Sequence, residues 1–507
     1  MKLRELSGVV VMGSVAALLA AAPGPVGAQT QPSFPLAKFG PQSVTPERVT
    51  AAFHMTKEQS QPVRAFGGPT FMLADPDDPR TIVAATADLR TRICQLVVSR
   101  DAGLTWRFSK SLPSPASYPY CMDNSAGLAA ASMAWGSNGT LYYSAEAFGD
   151  GEGGFRPTGG HVSQMLAKST NLGETWTSTL IEDNRGKPEP AAATYGTSLA
   201  VDTSGSTDVV YAGYNQHFVL APPGSPLTNG PVVVATSTDA GKTFSPAVDL
   251  NTFSKVTTTI GGQSYPLLFE GFFGSPLVFA REGTVLAVSG AQIPNGSLPA
   301  GQTSNFAASF TYPMPQLIGR STDQGKTWTV AQLGPPIFSG SGSQTGMGWT
   351  PKGGPNGTYV VAYQGTPATS SSSGPAQILV QRSTDDGITW SEPVAIDQPD
   401  GAKTTAFYPQ IGVAPNGRID VVWQDDLNRS DFRFNVRYTY STDGGLTWAP
   451  NILVSDRPLD FNYGVSFNSD LRQPPGVAST DEYAAIGWAD TRLADELTQT
   501  QDNFGAT

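Results

Sequence analysis

Charge, cysteine and histidine are all scarce in this chain, and each shortage narrows what it can be. Only 14% of the 507 residues are charged, and 42 acidic residues against 31 basic ones give a formal net charge of −11. Such a balance lacks the basic footprint that nucleic acid or an anionic membrane surface requires, so neither is expected as a partner. The two cysteines, Cys94 and Cys121, have no histidine beside them. In an exported chain such a pair reads as a disulfide rather than a metal site. His54, His161 and His217 are scattered, and the acidic loops show no ordered ligand spacing, so no metal or cofactor is implied. Gly-x-Ser-x-Gly and His-Glu-x-x-His are missing. Gly241-Lys242-Thr243 and Gly325-Lys326-Thr327 lack the earlier glycine of a phosphate loop, with Thr236 and Arg320 in its place. Beyond the first turns of the chain, no apolar run approaches the roughly 20 residues of a membrane span.

Residues 1–28 have the layout of a secretory signal. Lys2 and Arg4 are followed by the apolar stretch Val9–Ala22 and the small-residue site Val26-Gly27-Ala28. Export is therefore expected, with cleavage before Gln29 and no lipid anchor, because no cysteine follows the apolar run. Residues 29–47 read as a Pro-rich surface linker, and residues 48–507 as one repeat domain, expected to be a monomer.

Abundant Gly (55) and Pro (41) separate short runs of Val, Ile, Tyr and Trp, the pattern of many strands joined by turns. Within it one unit recurs six times: Ser99–Trp106, Ser169–Trp176, Ser237–Phe244, Ser321–Trp328, Ser383–Trp390 and Ser441–Trp448. The shared form is Ser-x-Asp-x-Gly-x-Thr-Trp. Its acidic position is Asp101, Asn171, Asp239, Asp323, Asp385 and Asp443 in turn, and Phe244 replaces the Trp once. The acidic side chain accepts backbone hydrogen bonds in a tight turn, Gly supplies a positive φ, and Thr re-enters a strand ahead of an aromatic anchor. The motif resembles the Asp-box (bacterial neuraminidase) repeat, whose family members are β-propellers and include the sialidases. The resemblance implies that each box joins the third and fourth strands of a blade, and that it serves folding rather than catalysis.

Each box then allows the same parse into four strands. The sixth unit is the clearest: Gln410–Ala414, Ile419–Trp423, Asn435–Ser441 and Trp448–Val454. After it, Val477–Thr480, Tyr483–Trp488 and Asp502–Thr507 repeat the first three strands without a box. Arg48–Phe53 has the β-branched and aromatic character to supply the fourth. The expected fold is all-β, a β-propeller of seven four-stranded blades whose ring is closed by an N-terminal strand. Six blades, as in sialidases, is the alternative.

Alternating strand direction puts every box on one face and the long loops on the other, where function is expected. The second strands end there in polar residues: Asp88 with Arg90, Glu146, Asp425, and Asp490 with Arg492. Convergence of these around the central channel would make one pocket; local Arg–carboxylate pairing is the plainer reading. Sialidases bind a carboxylate with three arginines, and use a Tyr nucleophile paired with a Glu and an Asp acid/base. The resemblance carries over onto Arg64 in Val63-Arg64-Ala65-Phe66 and loosely onto Arg90, with Glu270 and Tyr463 as the remaining pair. The flanking Phe/Tyr-Arg-Ile-Pro motif is absent, as is the acidic residue expected before the third strand, where the chain reads Thr91-Arg92-Ile93-Cys94-Gln95. Two readings stand: a secreted, sialidase-like enzyme acting on a glycan as hydrolase or lyase, or a non-catalytic propeller binding a glycan or protein.

Overall fold

The computed structural model describes residues 34–40, 52–55, 66–67, 71–88, 93–112, 121, 131–148, 162–185, 194–216, 230–269, 276–338, 345–368, 374–397, 405–426, 433–460, 462–463, 474–494 and 502–507. The signal and most of the linker fall outside them. Among the described residues the chain is all-β apart from the helix Asn305–Thr311 and a few 3-10 turns. No helix there is long and apolar enough to cross a membrane.

Strands follow one another in antiparallel units of four, and the arrangement is propeller-like. Unit one is Met72–Ala74, Ile82–Asp88, Ile93–Ser99 and Arg107–Phe108. Unit two is Ala131–Trp135, Leu141–Phe148, Val162–Ser169 and Thr177–Glu182. Unit three is Thr194–Asp202, Val209–Gln216, Val232–Ser237 and Val248–Asp249. Unit four is Leu277–Arg281, Thr284–Gln292, Met314–Ser321 and Thr329–Phe338. Unit five is Thr345–Thr350, Thr358–Pro367, Gln377–Ser383 and Val394–Ala395. Unit six is Ala406–Val413, Ile419–Asp425, Arg433–Ser441 and Ile452–Leu453. Unit seven is Gly476–Ser479, Ala484–Asp490 and Asp502–Ala506, and its fourth strand is Phe53–His54, with Phe53 opposite Gly505 and His54 opposite Phe504.

The apolar core lies between units rather than within them. Side chains of units one and two share one cluster, and the others follow in order, until Ala478 and Ala485 of unit seven pack with Met72, Ile82 and Trp106 of unit one. The first strands touch in the same order, and Gly476–Ser479 lies beside Met72–Ala74. Each repeat aromatic enters the seam with the unit before it: Trp328 packs with unit three and Trp448, fully buried, with unit five.

All six repeats form the same turn. In the sixth, Asp443 Oδ1 accepts from Ser441 Oγ at 2.8 Å, Leu446 N at 3.0 Å and Thr447 N at 2.9 Å, and Oδ2 accepts from Thr447 Oγ1 at 2.6 Å. Ser441 Oγ in turn accepts the Gly445 N–H at 2.9 Å. Asn171 preserves the set by reversing one bond: its Nδ2 donates to Thr175 Oγ1 at 3.0 Å, which a hydroxyl accommodates by rotating. The residue before the repeat glycine has positive φ, which Ala102, Leu172, Ala240, Gln324 and Asp386 tolerate at 56–62°. The sixth repeat has Gly444 there, because a Cβ would meet Gly353 Cα and Lys352 O at 2.7 Å.

A link unforeseen from the sequence joins consecutive turns. In repeats two to five the residue just before the Ser donates to the carbonyl of that positive-φ residue in the next repeat, whereas the first repeat has Val98 at that place. Lys168 Nζ reaches Ala240 O at 3.0 Å, Thr236 Oγ1 reaches Gln324 O at 3.2 Å, Arg320 Nε reaches Asp386 O at 2.7 Å, and Arg382 Nε reaches Gly444 O. Unit seven has no box, and Arg418 serves in its stead. Its Nη2 donates to Thr480 O at 2.9 Å and Tyr483 O at 3.0 Å while its Nε holds the buried Asp420 at 2.7 Å.

Other departures from the expected strands have local causes. The fourth strands of units one, three and five are short where Ser109, Ser245 and Ser391 hydroxyls accept the Leu96, Thr236 and Arg382 amides at 2.9, 3.3 and 3.1 Å, displacing ladder bonds. Part of the linker segment lies against units five and six: Lys38–Phe39 pairs in parallel with Thr447–Trp448, and Ala37 N donates to Ala395 O at 2.8 Å. The hairpin Thr257–Ile260/Gln263–Pro266 was not foreseen. Cys94 and Cys121 form a disulfide, with Cα atoms 5.9 Å apart.

Asp443→Ala should cost about 2–3 kcal/mol in urea unfolding, since it strips charge-assisted acceptors from several donors. Asp443→Asn should cost less, given the fit of Asn171. Thr327 hydroxyl and amide bonds hold Asp323 down to about 2, and Thr243 lowers Asp239 in the same way. These folded values lie below the unfolded one of about 3.9, so the stability they contribute is full above about pH 4 and lost as pH falls toward 2. Melting midpoints should drop steeply below pH 4, and less so in Asp323→Asn.

Candidate functional site at the loop end

The repeat turns and the turns between first and second strands share one end, as bonds from Ala102 N to Arg80 O (2.8 Å) and Ala240 N to Asp208 O (3.2 Å) show. The opposite end receives the second-to-third-strand and unit-to-unit connections. Between the first strands runs a cavity of about 450 Å³ lined by residues such as Met133, Leu199, Val278 and Met347. Asp88, Glu146, Asp425, Asp490 and Arg492 are not among its lining residues.

These polar residues sit instead behind the first strands, at the ends of the second. Asp88 is buried opposite Ile93. Glu146 Oε1 accepts the Gly196 N–H at 2.7 Å and so ties unit two to unit three. Asp425 and Asp490 occupy the same register in units six and seven, each two residues past a buried tryptophan, Trp423 or Trp488. Asp425 accepts Arg437 Nε at 2.5 Å.

Asp490 and Arg492 are brought together. Asp490 Oδ2 accepts from Arg492 Nη2 at 2.6 Å, Arg492 Nε at 2.9 Å and Trp488 Nε1 at 2.9 Å. The guanidinium also forks onto Asp456 at 2.7 and 3.1 Å and lies 4.2 Å from the Phe504 ring centroid. Its side chain is only 7% exposed. His54 also stacks on Phe504, with ring centroids 4.6 Å apart, and meets the buried Asp502 at 3.2 Å. Tyr463 lies on a partly exposed turn after Leu459–Asp460, and Thr491 Oγ1 donates to the Asp460 carbonyl, placing that turn beside the Asp490–Arg492 pair. Arg64, Arg90 and Glu270 lie outside the described residues.

One carboxylate escaped the sequence reading. Asp397 follows the fourth strand of unit five, is buried, and accepts the Ile378 N–H at 2.9 Å. In unit six Ser455 does the same for Val436 at 3.1 Å. Burial pushes the Asp397 carboxyl up to about 8, and the neighbouring charge of Asp425 adds to the rise. Burial also raises Asp425, against the opposing pull of Arg437. The available signal was an acid directly after the apolar run Val394–Ile396, where its counterpart is a neutral serine. Chemically, the arrangement offers a carboxyl that keeps its proton near neutrality beside a second one held by a guanidinium. Among the described residues, no group of His, Cys, Asp and Glu is disposed to hold a metal ion.

No protein-family model matches the chain, and no curated protein does. Solved structures similar to it include a protein of unknown function from Dyadobacter fermentans DSM 18053, 15% identical, covering 75% of this chain and 93% of that one with a TM-score of 0.45. A PL25 ulvan lyase is 10% identical over 87% of this chain and 94% of its own, TM-score 0.46. An α-L-arabinofuranosidase from Fusarium graminearum is 16% identical over 71% and 91%, TM-score 0.41.

Asp397 makes a stability prediction of opposite sign to the repeat turns. Its folded value lies far above the unfolded one, so its contribution is full below about pH 4 and lost as pH rises through about 8. Chemical denaturation of the wild type should show this decline between pH 4 and 8. In Asp397→Asn, which retains an acceptor for Ile378 N–H, the decline should flatten.

Proposed function

We propose that the chain is a secreted, glycan-active β-propeller that cleaves glycosidic linkages at its loop end, as a hydrolase or lyase. In this reading seven blades close into a ring through the N-terminal strand, which the pairing of Phe53–His54 with Asp502–Ala506 supports. The disulfide supports export. The observation that carries the activity is that Asp397 and Asp425 are both buried at strand ends where the loops begin, one accepting the Ile378 N–H and the other bonded to Arg437. Asp397 would donate its proton to the leaving oxygen, and Asp425 would serve as base, the division of labour that two carboxyls of separated proton affinity permit. Asp490, Arg492, Tyr463 and Asp88, with Arg64, Arg90 and Glu270, would border the same end and bind the glycan.

The alternative, a propeller that binds a glycan without cleaving it, is favoured by one feature. The Arg492 guanidinium is already shared between Asp490 and Asp456 and is nearly buried, which leaves it poorly placed to receive a substrate carboxylate. Cleavage assays against sialosides, uronic-acid glycans and neutral polysaccharides decide between the two. The enzyme reading expects product release, with kcat lowered about 10²–10⁴-fold in Asp397→Asn and in Asp425→Asn. Full activity in both variants, or glycan binding with no cleavage by the wild type, would overturn it.

A further inference from the structure

Arg492 has the setting of a carboxylate receptor, and the chain fills it with a side chain of its own. Unit seven fixes the guanidinium from behind. Asp490 Oδ2 accepts Nε at 2.9 Å and Nη2 at 2.6 Å, and the Phe504 ring centroid lies 4.2 Å from the guanidinium carbon. Asp490 is itself held, its Oδ1 accepting the Arg492 backbone N–H at 2.7 Å and its Oδ2 accepting Trp488 Nε1 at 2.9 Å. The outward N–H groups of Nη1 and Nη2 therefore form a fork of fixed direction, the geometry with which arginine takes a carboxylate through two parallel bonds.

Asp456 occupies that fork, with Oδ1 accepting Nη2 at 2.7 Å and Oδ2 accepting Nη1 at 3.1 Å. It belongs to unit six and follows the fourth strand Ile452–Leu453. The two carboxylates on Arg492 differ in setting: the Asp490 side chain is 1% exposed and that of Asp456 34%. Asp490 is thus the support, and Asp456 the member on the solvent side. A glycan carboxylate reaches the fork only by displacing Asp456, against its like charge. A neutral sugar meets no such conflict, because its hydroxyls donate to the exposed oxygens of Asp456. The Arg185–Asp183 pair, which follows the fourth strand of unit two at the same end, is open to solvent on both partners, 51% and 36% exposed.

We propose, resting on the reading of the loop end as the glycan site, that Asp456 sets its specificity: it closes Arg492 to acidic glycans and leaves the site to neutral ones. The full chain is run in affinity electrophoresis through gels of polygalacturonate, of alginate and of the carboxyl-reduced form of each, beside cleavage assays on the same four polymers. The wild type should be retarded by at least one reduced polymer, with an association constant about tenfold above that for its acidic parent. Asp456→Ser should raise the constant for the acidic parent at least tenfold. Asp456→Asn, which discards the charge but keeps one acceptor, should raise it at least threefold. The gain should persist when Arg457→Ala is added, since Arg457 is the exposed neighbour and not the fork. Asp183→Ser, which removes a carboxylate from the same end and uncovers Arg185, should change it less than twofold. Equal binding of parent and reduced polymer by the wild type, retardation of the wild type by none of the four, or no gain in either Asp456 variant would overturn the assignment. A gain matched by Asp183→Ser or erased by Arg457→Ala would reduce it to a general charge effect and overturn it as well. Failure of the cleavage reading has a different signature: the reduced polymer binds and the Asp456 gain appears, yet none of the four polymers is cut.

Discussion

A carboxylate that satisfies its own turn is the element on which the rest of this structure depends. Asp101, Asp239, Asp323, Asp385 and Asp443 each collect the hydroxyl and amide of a Thr four residues on, together with a Ser hydroxyl two residues back. With those donors satisfied inside the turn, the carbonyl of the positive-φ residue is left pointing outward. From the third repeat to the sixth it is taken by the preceding unit, through Lys168, Thr236, Arg320 or Arg382. Local turn and long-range seam are therefore one device. The aromatic ring that follows the Thr adds apolar burial to the same seam, where an unsatisfied polar group would be most costly.

Much of this was legible in the residues. The six motifs located the third strands, and the β-branched and aromatic runs before them located the second. Arg48–Phe53 reads as the partner of Asp502–Ala506, because few segments ahead of unit one have strand character; of that segment Phe53 pairs there, together with the next residue His54, while residues 48–51 lie outside the described ones. The seam links were not legible. A Lys or Arg before the repeat Ser, as at Lys168, Arg320 and Arg382, reads in sequence as a solvent-facing charge at a strand end. Only the spacing of neighbouring sheets turns it into a donor for a carbonyl some 60–70 positions away. Arg418 is the extreme case: a turn residue that ties unit six to a unit lacking the motif altogether.

The loop end was legible in composition and less so in geometry. Acidic ends on the second strands could be listed, yet their partners could not, because Arg437, Asp456 and His54 come from other strands or other units. Asp397 was hidden for a related reason. Its register places a carboxylate where Ser455 of the next unit places a hydroxyl, and that equivalence appears only once the amide bonds of Ile378 and Val436 are superposed in mind. The result is an ionic layer at one end and, at the other, a lattice of turns whose carboxylates are satisfied within the turns themselves.

The pairing of Phe53–His54 with Asp502–Ala506 also sets a timetable. During synthesis the early strand emerges about 450 residues before its partner, a wait of roughly 20–90 s at ordinary elongation rates. Units two to six draw their strands from continuous stretches of chain and can assemble as they appear. Unit seven has to hold three strands without an outer edge until the early segment docks. That pairing joins distant parts of the chain and is slow to form by the usual cost of long-range contacts.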